Sequence, residues 1–441
     1  MSIEPATWLK ENRIDEVELL IPDIAGVACG KFMPASKFLD LDHRLPESIF
    51  IQAITGDYVD DVFELDRDMV LQPDMATMRR VPWTDEPTCC VIADCYRHDG
   101  TPIDISPRQV LKNVLALYTQ RGLRPVVAPE VEFYLVKKNI DPDYPLEPPI
   151  GRSGRPEVAG KPYSIDAVNE FDPIIEDIYD YCEAMDIDAD SLSHEAGAGQ
   201  LEINFNHGDP LSLADQVFLF KRVVREAALK HGIYATFMAK PMAKEPGSAL
   251  HLHQSVIDIA TGKNIFSDER GEDTAAFSAF IGGLQRYLPE ALPMFGPYVN
   301  SYRRFTRFLM APINVHWGRD NRTVGLRVPI SDAKNRRIEN RVAGSDTNPY
   351  LAIASSLACG YLGLTENLKR GEMVEGSAYD LPPSFTRDPD HALDLFVNSK
   401  ALTRILGEDF VNVYAGIKRI EAETFFQVIS PWEREYLLLN V

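Results

Sequence analysis

The chain has 441 residues, 45% hydrophobic and 25% charged, an ordinary globular composition long enough for about two domains. Its 66 acidic residues against 45 basic ones leave a net charge of -21 with no Lys/Arg-rich run to offset it, so neither nucleic acid nor an anionic membrane is an expected partner. The cysteines, Cys29, Cys89, Cys90, Cys95, Cys182 and Cys359, are too sparse for a disulfide scaffold and form no C-x-x-C pair, and Met1 to Glu18 does not read as a signal peptide, so a cytoplasmic location is expected.

Residues 1 to 105 hold short apolar runs bounded by Pro and Gly, such as Val17 to Ile21 and Cys89 to Cys95, which predict a small mixed domain on a short sheet. Ser106-Pro107 opens a helix that Gly122 stops, with Ser106 as N-cap, and the domain boundary is placed there. Asn139 to Ser164 is dense in Pro and Gly and reads as a long mobile surface loop. Helical periodicity follows over Asp172 to Ala184 and Ser212 to His231. A last helical region starts near Asn348-Pro349, breaks at Leu381-Pro382-Pro383 and resumes toward the C-terminus. The longest weakly polar run, Leu351 to Leu364, falls short of the ~20 residues that span a bilayer.

Four predicted strands carry polar residues on a shared face. In Val126 to Val136, Glu130 and Glu132 leave the same side about 7 Å apart. In Gln200 to Phe205 the same alternation presents Gln200, Glu202 and Asn204, and Glu195 lies just before it in the Gly-rich run His194-Glu-Ala-Gly-Ala-Gly199. Ala249 to Val256 turns His251 and His253 one way, and Arg336 to Arg341 does so with Arg337, Glu339 and Arg341. One such strand alone is best read as a solvated sheet face. Their recurrence predicts a curved antiparallel sheet or half-barrel lining a cavity. Glutamates 130, 132, 195, 202 and 339 with a histidine form an oxygen-rich set suited to two Mg²⁺ or Mn²⁺ ions and poorly matched to zinc. Arg322, Arg327, Arg337 and Arg341 would face phosphate or carboxylate oxygens, and the whole set fits phosphoryl transfer. There is no P-loop, the Gly197-Ala-Gly199 run lacks a third glycine, and Asp186, Asp188 and Asp190 do not complete an EF-hand.

These residues resemble the glutamine synthetase superfamily. The resemblance runs through Pro129-Glu130-Val-Glu132, Glu195 with Glu202, and Lys240-Pro to His251-Leu-His253-Gln-Ser255. It continues in Asn321-Arg322-Thr-Val-Gly-Leu-Arg327 and Arg337-Ile-Glu339-Asn-Arg341. It implies an α+β fold, with a β-grasp-like domain over 1–105 and a catalytic domain over 106–441 built on a half-barrel flanked by helices. It also implies metal ligation by Glu132, Glu195 and Glu202 near glutamate and by Glu130, His251 and Glu339 on the phosphates of ATP. Nucleotide contacts from His253, Ser255, Lys334 and Arg337 follow from the same resemblance, as do glutamate contacts from Gly247, Arg304 and Arg341. Catalytic roles fall to Arg322, Arg327 and Glu202. The implied oligomer is a six-membered ring, single or doubled to a dodecamer, with sites shared between neighbours. Tyr379 in Tyr-Asp-Leu-Pro-Pro resembles a tyrosine adenylylated in some bacterial relatives, with packing the favoured reading.

The departures bear on the nucleophile. The family's ammonium site uses a glutamate before an Ala-Pro dipeptide and an N-terminal aspartate. Here Met310 precedes Ala311-Pro312, and the other region reads Phe50-Ile51-Gln52-Ala53-Ile54. Losing both carboxylates removes the attraction for a small cation and adds apolar room. A larger organic amine is therefore expected, in a pocket of Ile51, Tyr58, Met310 and Trp317. Asn300-Ser-Tyr-Arg-Arg-Phe305, Trp317-Gly318 and Val342 to Tyr350 more closely resemble the γ-glutamylpolyamine and γ-glutamylputrescine synthetase branch, which implies the same. Asp57, Asp60 and Asp61 are either partners for a distal ammonium or a solvated turn. Rival readings are an ammonia-using glutamine synthetase and a non-catalytic structural ring.

Overall fold

The computed structural model describes residues 4–40, 42–59, 66–158, 160–307 and 310–441. The short N-terminal runs become β1 (Glu16–Pro22), β2 (Ala28–Pro34), β3 (Arg44–Pro46), β4 (Asp68–Pro73), β5 (Arg79–Val81) and β6 (Thr88–Tyr96). They form one sheet in the order β2-β1-β6-β4-β3, with β5 also on β6 and β1 parallel to β6. Alternation sorts its two faces. Val17, Leu19, Ile21, Cys89 and Val91 pack with Phe38, Phe50 and Met69 in a local core, whereas Leu20, Cys90 and Ile92 join the main core of the molecule.

The second sheet comprises β7 (Leu123–Val136), β8 (Ala189–His194), β9 (Gln200–Phe205), β10 (Tyr234–Thr236), β11 (Leu250–Asp258), β12 (Trp317–Arg319), β13 (Leu326–Val328) and β14 (Ile338–Asn340). Its order is β12-β13-β14-β11-β7-β9-β8, with β10 on β7, and only the β12–β13 pairing is parallel. The fold is thus α+β, with a curved, mainly antiparallel sheet flanked by helices. Val131, Phe133, Leu201, Ile203, Leu250 and Leu252 are buried on the helical side, in one core with the helices Pro107–Gln120, Pro210–Lys230 and Pro349–Glu366.

The helix Pro107–Gln120 ends before Gly122, whose φ of +69° suits a stop, but the hydroxyl of Ser106 makes no capping bond. Pro210–Lys230 begins earlier than periodicity indicates because Asp209 accepts from the amides of Leu211 and Ser212. The apolar run Leu351 to Leu364 is a buried core helix. A Cβ on Gly363 would lie 2.1 Å from the Ala279 carbonyl oxygen, and one on Gly283 2.3 Å from that of Cys359, so Ala275–Tyr287 and Pro349–Glu366 cross at backbone contact. Among the described residues no helix is long and apolar enough to cross a membrane. The Asn139–Ser164 segment is largely exposed but not loose at its end, where the Tyr163 amide donates to the His194 carbonyl at 2.9 Å.

One buried cation joins the first sheet to the helices that back the second. Arg108, only 1% exposed, reaches Asp74 and Asp94 at 2.6 Å and Asp215 at 2.9 Å, while Tyr350 donates to Asp215 at 2.6 Å. Replacing Arg108 by Met leaves those carboxylates short of a counterion and should cost about 3–5 kcal/mol, read from the urea midpoint. Lys112→Ala, on the more exposed edge of the same cluster, should cost under about 1 kcal/mol.

Candidate active site

Strand register assembles the polar face. Arg327, Glu339 and His253 stand in a row across β13, β14 and β11; His251, Glu130 and Asn204 do so across β11, β7 and β9; Glu132, Glu202 and Ser193 follow across β7, β9 and β8. The aliphatic neighbours Val131, Ile203 and Leu252 face the other way into the core, and a slip of one residue would exchange the two faces.

Glu130 sits between both histidines, with one oxygen 3.2 Å from Nδ1 of His251 and the other 2.8 Å from Nε2 of His253. Arg337 donates to Nδ1 of His253 at 3.2 Å, which fixes that ring. Glu339 is fully buried and held by Arg327 at 2.6 Å and by Arg341. Glu132 accepts from the Ala249 amide at 2.8 Å and from the Gln200 side chain at 3.1 Å. Two sets bring their ligand atoms within 4.8 Å of one another: Glu130, His253 and Glu339, and Glu130, Glu202 and His251. Both can coordinate a divalent ion.

The electrostatics single out the carboxylates that lack a counterion. Burial, followed by repulsion from Glu130, Glu132, Glu195 and Glu339, pushes Glu202 up to about 10. Burial and the charge of Glu195 raise Glu132 to about 8. Glu130 moves the other way: burial would raise it, but hydrogen bonds from His251 and His253 hold it well below the usual carboxylate range. Burial would raise Glu339 too, but Arg341 and the two histidines together bring it down to about 2. Burial and Arg341 depress His251 to about 4, leaving its ring neutral and able to ligate. A divalent cation beside Glu202 and Glu132 supplies the charge this face is missing, and the donor set of carboxylates with imidazole fits Mg²⁺ or Mn²⁺.

Two cavities meet at this face. One, of about 650 Å³, is lined by the five glutamates with Gly247, Arg304, Met310, Arg322, Arg327 and Arg341. The other, of about 610 Å³, is lined by His253, Ser255, Lys334 and Arg337 among others. Glu130 and Asn204 border both.

The family model for the glutamine synthetase catalytic domain matches residues 104–437. The chain belongs to the glutamine synthetase family. It is 36% identical over 437 residues to γ-glutamylputrescine synthetase PuuA of Escherichia coli (strain K12), covering 96% of this chain and 92% of that one. It is 33% identical over 444 residues to the glutamate–isopropylamine ligase of a Pseudomonas species, covering 97% and 95%. The structure of ligand-free GmaS superposes with a TM-score of 0.85 at 26% identity over the full length of both chains. With the metal-ligating clusters, this family membership makes the chain an ATP-dependent amide-forming ligase.

Within this glutamine synthetase fold most of the expected residues converge, with differences. His253 stands in a metal-ligating set as well as in the second cavity. Arg304, 3% exposed, lines the first cavity while its guanidinium donates to the carbonyls of Val342 and Arg341 at 2.7 and 3.0 Å. Met310 opens on the first cavity, half exposed with a left-handed φ of 62°. Trp317 does not reach either cavity: its indole N–H donates to the Gly371 carbonyl at 2.7 Å, and Arg370 stacks 4.2 Å above its ring. In the N-terminal region Tyr58 bridges to Gln52, next to Ile51, and neither Ile51 nor Tyr58 lines a cavity named above in its own chain. Asp57 accepts from Thr55 in an exposed turn, while Asp60 and Asp61 lie outside the described residues. Tyr379 is buried, with its hydroxyl on the Ala311 carbonyl at 3.1 Å. Sequence reasoning did not assign Tyr163, which lines the first cavity, or Gln200 as the group that orients Glu132. The alternation of Gln200 with Glu202 was the available signal.

The raised carboxylates set a pH dependence. A folded-state value above the unfolded one contributes stability that is complete below the ordinary carboxylate range and is lost as pH climbs through about 8 for Glu132 and about 10 for Glu202. Protein treated with EDTA should therefore melt at progressively lower temperature between pH 6 and 9. Mg²⁺ or Mn²⁺ should remove most of that slope, and Glu202→Gln should flatten it while weakening Mn²⁺ binding by about tenfold or more. Parallel melting curves with and without metal would contradict the assignment.

Proposed function

We propose that this chain joins the γ-carboxylate of glutamate to an organic amine. Two divalent ions, held by Glu130, Glu132, Glu195, Glu202, His251 and Glu339, would neutralise charge between ATP and glutamate. Ser255, Lys334 and Arg337 address the nucleotide, with His253 shared between nucleotide and metal. Gly247, Arg304 and Arg341 address glutamate. The γ-carboxylate attacks the terminal phosphorus, ADP leaves, and Arg322 and Arg327 stabilise the transferring phosphoryl group. The amine nitrogen then attacks the γ-carbonyl carbon of γ-glutamyl phosphate; inorganic phosphate departs, and the nitrogen loses its proton to give the amide.

The observation that carries this reading is Met310 on the wall of the first cavity, beside Ala311, Pro162 and Tyr163. A thioether there offers dispersion contacts to a carbon-bearing amine and no attraction to ammonium. Two relatives named for putrescine and isopropylamine support it. A six-membered ring would accord with it too, with the 51–58 segment, which lines neither cavity of its own chain, closing the amine pocket of a neighbouring copy.

An ADP-release assay tests the reading. Propylamine, putrescine or a phenyl-bearing amine should exceed ammonium in kcat/KM by about tenfold or more, the worth of roughly two buried methylenes. Ammonium as the best nucleophile would overturn it. Arg341→Ala should raise KM for glutamate by about tenfold or more, as for loss of a charge-assisted hydrogen bond.

A further inference from the structure

The glycine-rich run before β9 is a junction between two loops. Its consecutive amides at Gly197, Ala198 and Gly199 are each accepted by a side chain: Gln200 at 2.9 Å, Glu245 at 3.0 Å and Glu157 at 2.7 Å. Glu245 belongs to the loop that brings Pro246 and Gly247 to the first cavity, and Glu157 to the segment that brings Pro162 and Tyr163 there. The same Glu157 oxygen lies 3.0 Å from Nε2 of His194, a fully buried ring whose Nδ1 donates to the Glu195 carbonyl at 2.7 Å. The contact is close at Gly160 and Tyr163 as well. A Cβ on Gly160 would fall 1.7 Å from the Ala196 carbonyl oxygen, and the Tyr163 amide is bonded to His194. Tyr163 is held at a left-handed φ of 62°, a conformation that persists only where its surroundings enforce it.

We infer that Glu157 is a positioning residue: by docking the 157–163 segment onto the His194–Gly199 turn it sets Glu195 and the Tyr163 wall of the first cavity, and so governs the use of glutamate and amine but not of ATP. The kinetic part rests on the ligase reading. The residues of this junction contribute nothing to the lining of the second cavity.

The test uses the full-length protein with Glu157→Ala, Glu157→Asp and Glu157→Gln. Hydrogen exchange, which needs no turnover, should rise about tenfold or more in peptides covering 160–165 and 194–200 of the Ala variant, with β11 unchanged. KM for glutamate and for the amine should rise about fivefold or more, with KM for ATP within about twofold. The Gln variant keeps an oxygen for the Gly199 amide and should return all values to within about threefold of wild type. The Asp variant falls short by one methylene and should reproduce the Ala pattern, which decides the matter if the Ala variant does not fold. Unchanged exchange, or a rise in all three KM values together, overturns the inference. A wild-type protein inert with every amine overturns the ligase reading instead, and exchange then decides the docking alone.

Discussion

Like charges on one face of a sheet are the constraint from which the rest of this structure follows. Glu339 on β14, Glu130 and Glu132 on β7 and Glu202 on β9 share one face, with the histidines of β11 between β14 and β7 and a continuous aliphatic core behind. Repulsion of that kind in a partly buried setting costs several kcal/mol unless cations share the space. Histidines meet Glu130, arginines meet Glu339, and amides meet Glu132, so the deficit concentrates on Glu202. The place left uncompensated is the place where an ion belongs.

The arginines follow the same logic. Arg327 and Arg341 clasp Glu339 from two sides, and Arg327 also reaches Asp320 at 2.7 Å. Their planar forks are thereby aimed into the cavity by carboxylates of the chain itself, which lowers the entropy lost when they engage a phosphoryl or carboxylate group. Arg304, in the wall of the same cavity, is oriented by two backbone carbonyls instead.

Much of this was legible in the sequence, because period-2 alternation reports directly which side chains share a face. The strand Gln200–Phe205 and the helix Asp172–Ala184 coincide with their predicted bounds, and Glu130, Glu132, Glu202, His251, His253 and Glu339 converge as the alternation requires. What escaped depends on contacts distant in sequence. Trp317 has the composition of a pocket wall, yet Gly371 and Arg370 claim its ring from another element. Tyr163 lies in a Pro/Gly-rich segment whose composition predicts looseness, and only the fold reveals the His194 carbonyl that restrains it. Ser106 illustrates the converse, a residue of the right type at a helix start whose hydroxyl bonds elsewhere than to the cap.

The narrow border between the two cavities has a consequence for how such a scaffold diversifies. Among the described residues only Glu130 and Asn204 line both chambers, so most of the wall of either one can change without touching the other. Met310 lines one chamber alone, so a substitution there redraws a single rim and leaves the lining of the other chamber as it is.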